Sequence, residues 1–291
     1  MRIYKIWAKH TEVWKVDHWE VIGNSWSKDG KIDQEFNFIG GSNVSEEEAY
    51  ARALLKRDKI KKKVDGLWNY QKDSDYTVEI REEIIAKVDD DNIITRNRYG
   101  ALVLNSAHTM FVDIDTSQFT WRINVFKPFL KIIRLFNKPK TPDEEVLSHI
   151  DEQLIKSKFR NLYTRVYKTP AGFRLLISGE DFDPRSDKSK NIMRQFFADW
   201  TYANLCVQQN CYRARLTPKP WRIGVKRPKI IFPFRTTEQD KIHAEWVEHY
   251  QNKSESFAAC GFIKSYGKER LSKVVQYHDQ FCKALTNLPL A

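Results

Sequence analysis

The segment HTMFVDIDTSQ, residues 108–118, sets two carboxylates, Asp113 and Asp115, into a run that is otherwise Met110, Phe111, Val112 and Ile114. Side chains alternate faces along a strand, so Phe111, Asp113 and Asp115 share one face while Met110, Val112 and Ile114 share the other. Two Asp spaced this way stand about 6–7 Å apart at the backbone and can converge on a hard cation. Left unpaired, they would repel and resist ionisation. Mg²⁺ or Mn²⁺ at Asp113 and Asp115 resolves that conflict, because such ions take a few carboxylate oxygens together with substrate phosphates. Metal ions held in this way can clamp the attacking and leaving oxygens of phosphoryl transfer. An acidic outer strand face is the plain alternative, but Asp is disfavoured in strands and here recurs within one apolar run.

Two other segments carry charge of the opposite sign. VYKTPAGFRLLIS, residues 166–178, reads as a hairpin turning at Thr169-Pro170-Ala171-Gly172. The turn can bring backbone N–H groups to a phosphate, with Gly172 permitting a close approach. On its second strand Arg174 alternates away from Phe173 and Leu175 and can point into the same cleft as the acids. CYRARLTPKPWRIGVKRPK, residues 211–229, holds Arg213, Arg215, Lys219 and Arg222 along with Trp221. Arg213 and Arg215 share a strand face; guanidinium forks suit phosphates, and Trp221 offers a platform for a base.

The elements that must position these groups are legible in part. EVIGNSW and KIDQEFNFI flank Ser27-Lys28-Asp29-Gly30, and Asp-Gly between such runs predicts a hairpin turn. Ser45 with Glu48 forms a capping-box pattern opening a helix whose end is densely basic, at Lys59, Lys61, Lys62 and Lys63. That end suits the helix dipole, and it also offers a nucleic-acid-contacting surface. Strands are expected within 76–115, then an amphipathic basic stretch from Trp121 to Phe136. A helix capped at Thr141-Pro142-Asp143-Glu144 should run to about Phe159, and further helices follow near 190–206, 238–251 and 268–285. Irregular alternation of strands and helices predicts an α+β fold.

Composition bounds the function classes. A 291-residue chain with 41% hydrophobic residues can build a core. The net charge of +11 favours a polyanionic partner, nucleic acid first. The longest apolar-looking stretch, INVFKPFLKIIRLF, is too short and too charged to span a bilayer, so no membrane partner is expected. The chain shows no hydrophobic leader, and four cysteines do not make a disulfide framework at this size, so a cytoplasmic protein is expected. Cys206 and Cys211 have loose zinc-ligand spacing, but no second Cys/His pair with ligand spacing accompanies them, so spacing predicts no zinc site.

The hhhDhD strand, the TPxGxR hairpin and the arginine-rich strand, in that order, resemble the catalytic core of archaeo-eukaryotic primases and primase-polymerases. The likeness spans residues 95–230. It implies an RRM-like catalytic core with an added αβ unit, preceded here by a small N-terminal α+β module. The implied organisation is 1–70 for the module with its basic helix, 71–235 for the core and 236–291 for a C-terminal helical extension. It also implies metal-dependent nucleotidyl transfer in DNA replication or repair. Asp113 and Asp115 would be the metal-binding catalytic acids. Thr169, Gly172, Arg174, Arg213 and Arg215 would contact a nucleoside triphosphate. Lys59, Lys61, Lys62, Lys63, Lys219, Trp221 and Arg222 would contact DNA or RNA. The sequence departs from the family pattern at two points. The family's His in the second motif is Arg174 here, and no acid stands at the third motif, Asp183 and Asp199 being the nearest substitutes. Two alternatives stay open: a non-catalytic nucleic-acid- or nucleotide-binding accessory protein on the same fold, and a metal-dependent nuclease.

Overall fold

A computed structural model of the chain describes residues 1–22, 25–65, 78–126, 140–155, 159, 162–229 and 232–291. The chain divides into two compact units, one of residues 3–79 and one of residues 1–2 with 80–291.

In the first unit, strands β1 (Ile6–Ile22) and β2 (Ser25–Ser42) form a long antiparallel ribbon, followed by helix α1 (Glu46–Val64). Their pairing continues to Ile22 opposite Ser25, so the turn expected at Asp29-Gly30 lies elsewhere. Asp29 and Gly30 sit inside β2, where the register shifts between Asp17 and Trp19. Gly30 has φ +76, and its left-handed backbone serves a bulge rather than the turn. Ser45 caps α1 as expected, its side chain accepting from the Glu48 N–H. The Glu48 carboxylate does not close the box; it accepts from Ser42 and Arg52 instead. Ala49 and Ala53 are fully buried on the helix. The basic end of α1 carries Lys59, Lys61, Lys62 and Lys63 as exposed side chains.

The larger unit is built on two four-stranded sheets among the described residues. One orders β3 (Glu83–Lys87), β4 (Asn92–Arg96), β5 (Leu102–Ser106) and β9 (Tyr212–Arg215), all antiparallel. The other orders β10 (Gly261–Tyr266), β7 (Tyr163–Thr169), β8 (Gly172–Ser178) and β6 (Met110–Asp115), also antiparallel. Helices α2 (Thr116–Phe126), α3 (Pro142–Ile155), α4 (Asp187–Gln195), α5 (Trp200–Gln209), α6 (Thr237–Ser254) and α7 (Lys273–Cys282) complete it. One hydrophobic cluster runs through both sheets and several helices, from Leu104 and Phe111 to Val146, Leu176, Tyr212 and Val275. The mixed α+β class is as the sequence predicts.

Residues 236–291, expected as a helical extension, also supply β10, an edge strand bonded to β7. The Thr141–Glu144 box is real: Thr141 N donates to the Glu144 carboxylate at 2.7 Å and Glu144 N to the Thr141 hydroxyl at 3.3 Å. Helix α3 is described to Ile155. The basic stretch expected to reach Phe136 lies outside the described residues beyond Phe126. Where the chain enters and leaves the smaller unit, Ile80 N donates to Arg2 O at 2.9 Å. No helix among the described residues is long and apolar enough to cross a membrane.

Candidate functional site

Strand β6 buries Met110, Phe111, Val112 and Ile114, while Asp113 and Asp115 are half-buried on the face they share. Among the described residues β6 is the edge strand of its sheet and pairs with β8. Antiparallel register sets Asp113 opposite Arg174 and Asp115 opposite Gly172.

Arg174 grips Asp113 with two bonds, Nε to Oδ1 at 2.7 Å and Nη2 to Oδ2 at 3.1 Å. Its third nitrogen, Nη1, donates to the Arg215 carbonyl at 2.8 Å. All three nitrogens of the fork are therefore engaged by the protein, and Arg174 is buried. Burial works against the Arg174 charge, but the Asp113 carboxylate outweighs it and holds the guanidinium above its ordinary value.

Asp115 does different work. Its Oδ1 accepts from Ser117 N at 2.9 Å, Gln118 N at 3.0 Å and the Ser117 hydroxyl at 2.5 Å. These bonds satisfy the first N–H groups of α2, so Asp115 acts as the helix cap. A Cβ on Gly172 would stand 2.0 Å from Ile114 O and 2.9 Å from Thr116 N. The close approach that Gly172 permits is therefore made by the chain's own backbone at the end of β6. Thr169 is half-buried at the end of β7, where it pairs with Gly172.

The arginines of β9 divide. Arg213 donates to Glu82 at 2.5 Å and to Gln209 at 3.2 Å. Arg215 has no ion-pair or side-chain hydrogen-bond partner among the described residues, and its Nε is sealed from water. Burial, with the charges of Arg174 and Arg222 beside it, brings its pKa down to about 10. Lys219 is depressed in the same way, by burial and then by Arg215 and Arg222, while Asp113 and Asp115 pull it back up. Arg222 also lacks an ion-pair partner among the described residues. Lys219, at 5.5 Å, and Arg227, at 4.3 Å, lie over the half-exposed Trp221 ring, and Tyr99 meets it edge-on at 5.4 Å. Arg174, Arg215 and Lys219 thus gather around the two acids, with Arg222 beside Arg215 and Lys219.

A cleft of about 730 Å³ opens beside Asp115, lined by Ser117, Trp121, Asp143, Lys168 and Pro170 among others. Lys168 bonds Asp143 at 2.8 Å, and the Thr116 hydroxyl donates to the same carboxylate at 2.9 Å. Sequence reasoning missed Asp143 and Lys168 as site residues, although both stand in segments it singled out for other reasons. Of the substitute acids, Asp199 N bonds Asp113 O at 2.8 Å, but its carboxylate caps α5 at Tyr202 N and accepts from Gln118. Asp183 accepts from Arg185 N in a turn. Among the described residues no third Asp, Glu, His or Cys ligand atom joins Asp113 and Asp115 in a metal-sized group.

The structure does bring together three ligand-bearing residues that spacing did not reveal. Cys260, His278 and Cys282 are fully buried with their ligand atoms within 4.8 Å of one another. The one sequence signal for them was His278 and Cys282, four apart on a helical stretch. Cys206 and Cys211 are buried and free. No family model, curated protein or solved structure matches the chain.

Proposed function

We propose that the protein binds a phosphorylated ligand, a nucleoside triphosphate or a nucleic-acid strand, at the acid and arginine cluster at the end of β6, in the manner of a primase-polymerase-like nucleotide site. The observation that carries this reading is Arg215, a half-buried cation with no ion-pair partner among the described residues and with a buried, unsatisfied Nε. An unpaired buried charge is costly, and a phosphate is the ligand that best offsets it, because a guanidinium donates to phosphate oxygens in a fork geometry. Arg174, Arg215, Lys219 and Arg222 set four positive charges against the two carboxylates, so the cluster favours an anion. In the adjoining cleft, exposed Trp121 offers a ring against which a base can stack.

Metal-assisted nucleotidyl transfer is the second reading. Asp115 favours it, because among the described residues its hydrogen bonds run through Oδ1 and leave Oδ2 for a cation. Mg²⁺ or Mn²⁺ at Asp113 would have to displace Arg174, which a triphosphate arriving on the same arginine would assist.

Titration of a fluorescent nucleoside triphosphate, with and without Mn²⁺, tests the first reading. Arg215→Ala should weaken binding about tenfold to a hundredfold, at ~1.4 kcal/mol per decade. Arg215→Lys should recover only part of that loss. Absence of measurable affinity in the wild type would overturn the reading. Primer extension with Mn²⁺ tests the second. Binding without extension leaves an accessory role, and shortening of the primer indicates a nuclease.

A further inference from the structure

We infer that Cys260, His278 and Cys282 form a structural zinc site beneath the β10–β7 edge of the second sheet. Two backbone bonds bring Cys260 to the end of α7: Ala259 N donates to Cys282 O at 3.0 Å, and Phe262 N to Ala284 O at 2.7 Å. His278 and Cys282 stand four apart on α7 and so share one helix face. All three residues are fully excluded from solvent.

The imidazole is set up as a ligand. Its Nδ1 lies 3.3 Å from Asp279 Oδ1. That carboxylate is itself fixed by Arg165 at 2.6 Å and by the Tyr167 hydroxyl at 2.6 Å. A carboxylate behind a histidine fixes the tautomer and ring orientation, as metal sites commonly require. His278 Nε2 is then the free ligand atom, a buried nitrogen with no hydrogen-bond partner among the described residues. Phe111, stacked at 5.7 Å, and Tyr167, at 4.6 Å, hold the ring in place. An orphaned buried nitrogen beside two thiols is costly without a metal and satisfied with one.

The donor set selects the ion. Two thiolates and an imidazole suit borderline-soft Zn²⁺, whereas Mg²⁺ and Mn²⁺ prefer carboxylate and water oxygens. Two thiolates also cancel the charge of Zn²⁺, so the buried group is neutral. The three residues supply three of four tetrahedral positions. The fourth falls to a water or to the Arg215 carbonyl, which already lies 3.7 Å from Cys282 Sγ. The same carbonyl accepts from Arg174. The zinc would therefore brace, through one backbone group, the arginine that grips Asp113.

Metal analysis of the full chain, purified under reducing conditions without chelator, should find about one zinc per chain. Cys260→Ala and Cys282→Ala should each lower that content at least tenfold, while Glu12→Gln, on β1 of the smaller unit, should leave it unchanged. A strong chelator should lower the melting temperature by about 5–10 °C, with Zn²⁺ but not Mg²⁺ restoring it. Should the cysteine variants fail to fold, Co²⁺ added to the chelated wild type still decides, since thiolate ligation gives a charge-transfer band. Wild type that retains less than about a tenth of a zinc after loading and desalting, and shows no Co²⁺–thiolate band, would overturn the site. So would a thiol titration in denaturant that finds two of the four cysteines joined as a disulfide.

Discussion

Two buried arginine–aspartate pairs stand on neighbouring strands, and they differ in what surrounds them. Arg165 on β7 pairs with Asp279 at 2.6 Å, with side chains 7% and 10% exposed. Its other nitrogens donate to the Tyr167 hydroxyl at 2.8 Å and the Tyr163 hydroxyl at 2.9 Å, and its plane lies 4.0 Å over Phe262. All three of its nitrogens are engaged within one network. Arg174 on β8 is as deeply buried, at 4%, but its partner Asp113 is 33% exposed. Beside that second pair stands Arg215, whose Nε has nothing to bond. The same pair chemistry thus serves two ends. A sealed and fully satisfied pair holds strands and helix in place, and a pair open on its acid side, with an unsatisfied cation next to it, is a place for a ligand.

Breaking the sealed pair should have the largest effect. Arg165→Met leaves Asp279 buried without its main partner and should cost about 3–5 kcal/mol in urea unfolding. A cost under about 1 kcal/mol would show that the two pairs are not distinguished by closure. Asp113→Asn should cost less, about 1–3 kcal/mol, because water reaches that carboxylate and the amide still offers Arg174 an oxygen. The same change should tighten metal-free phosphate or nucleotide binding, since it removes a negative charge from the cluster. Weaker binding would mean that Arg174 is not released toward the ligand. Asp115→Ala should cost about 1 kcal/mol as a lost helix cap, with Asp115→Asn recovering most of it, read as helix loss by circular dichroism and a lower unfolding midpoint.

An ion-pair hub reached by water sets the bottom of the scale. In the smaller unit Glu12 accepts from His10 at 2.8 Å, Trp14 at 2.8 Å and Arg57 at 2.6 Å. These partners, His10 first, hold its pKa at about 2 instead of 4.5. A depressed carboxylate stabilises above its unfolded pKa, and the contribution fades as pH falls toward the folded one. Melting temperature should therefore decline between pH 4.5 and about 2. Glu12→Gln should flatten that decline slightly, and an unchanged pH profile would remove Glu12 as a contributor.

Local signals were the legible ones. The Thr141–Glu144 box, the Ser45 cap, the β7–β8 hairpin and the face alternation of residues 110–115 each depend on neighbours a few positions apart. The grip of Arg174 on Asp113 depends instead on antiparallel register across 61 positions, and that of Arg165 on Asp279 on a helix packed against a strand 114 positions away. No short-range pattern encodes such a partner: strand alternation turns Arg174 toward the cleft of the acids, and only the register sets it opposite Asp113. The Cys260, His278 and Cys282 group escaped for the same reason: one member precedes a strand, two lie on a helix, and the fold alone brings them together. Asp29-Gly30 misled in the opposite way, because a glycine at positive φ fits a bulge as well as a turn.

The bond from Ile80 N to Arg2 O has a consequence for engineering. It places Arg2 and Ile80, the two residues of the larger unit that flank residues 3–79, side by side, so the chain departs for that segment and returns at one point. Such a segment behaves as a cassette. Splicing Arg2 to Ile80 through a short glycine linker asks for almost no loop-closure entropy and leaves both four-stranded sheets with their pairings. The excised chain would carry the acid and arginine cluster without the lysines of α1, and so separate what each contributes to holding a polyanion.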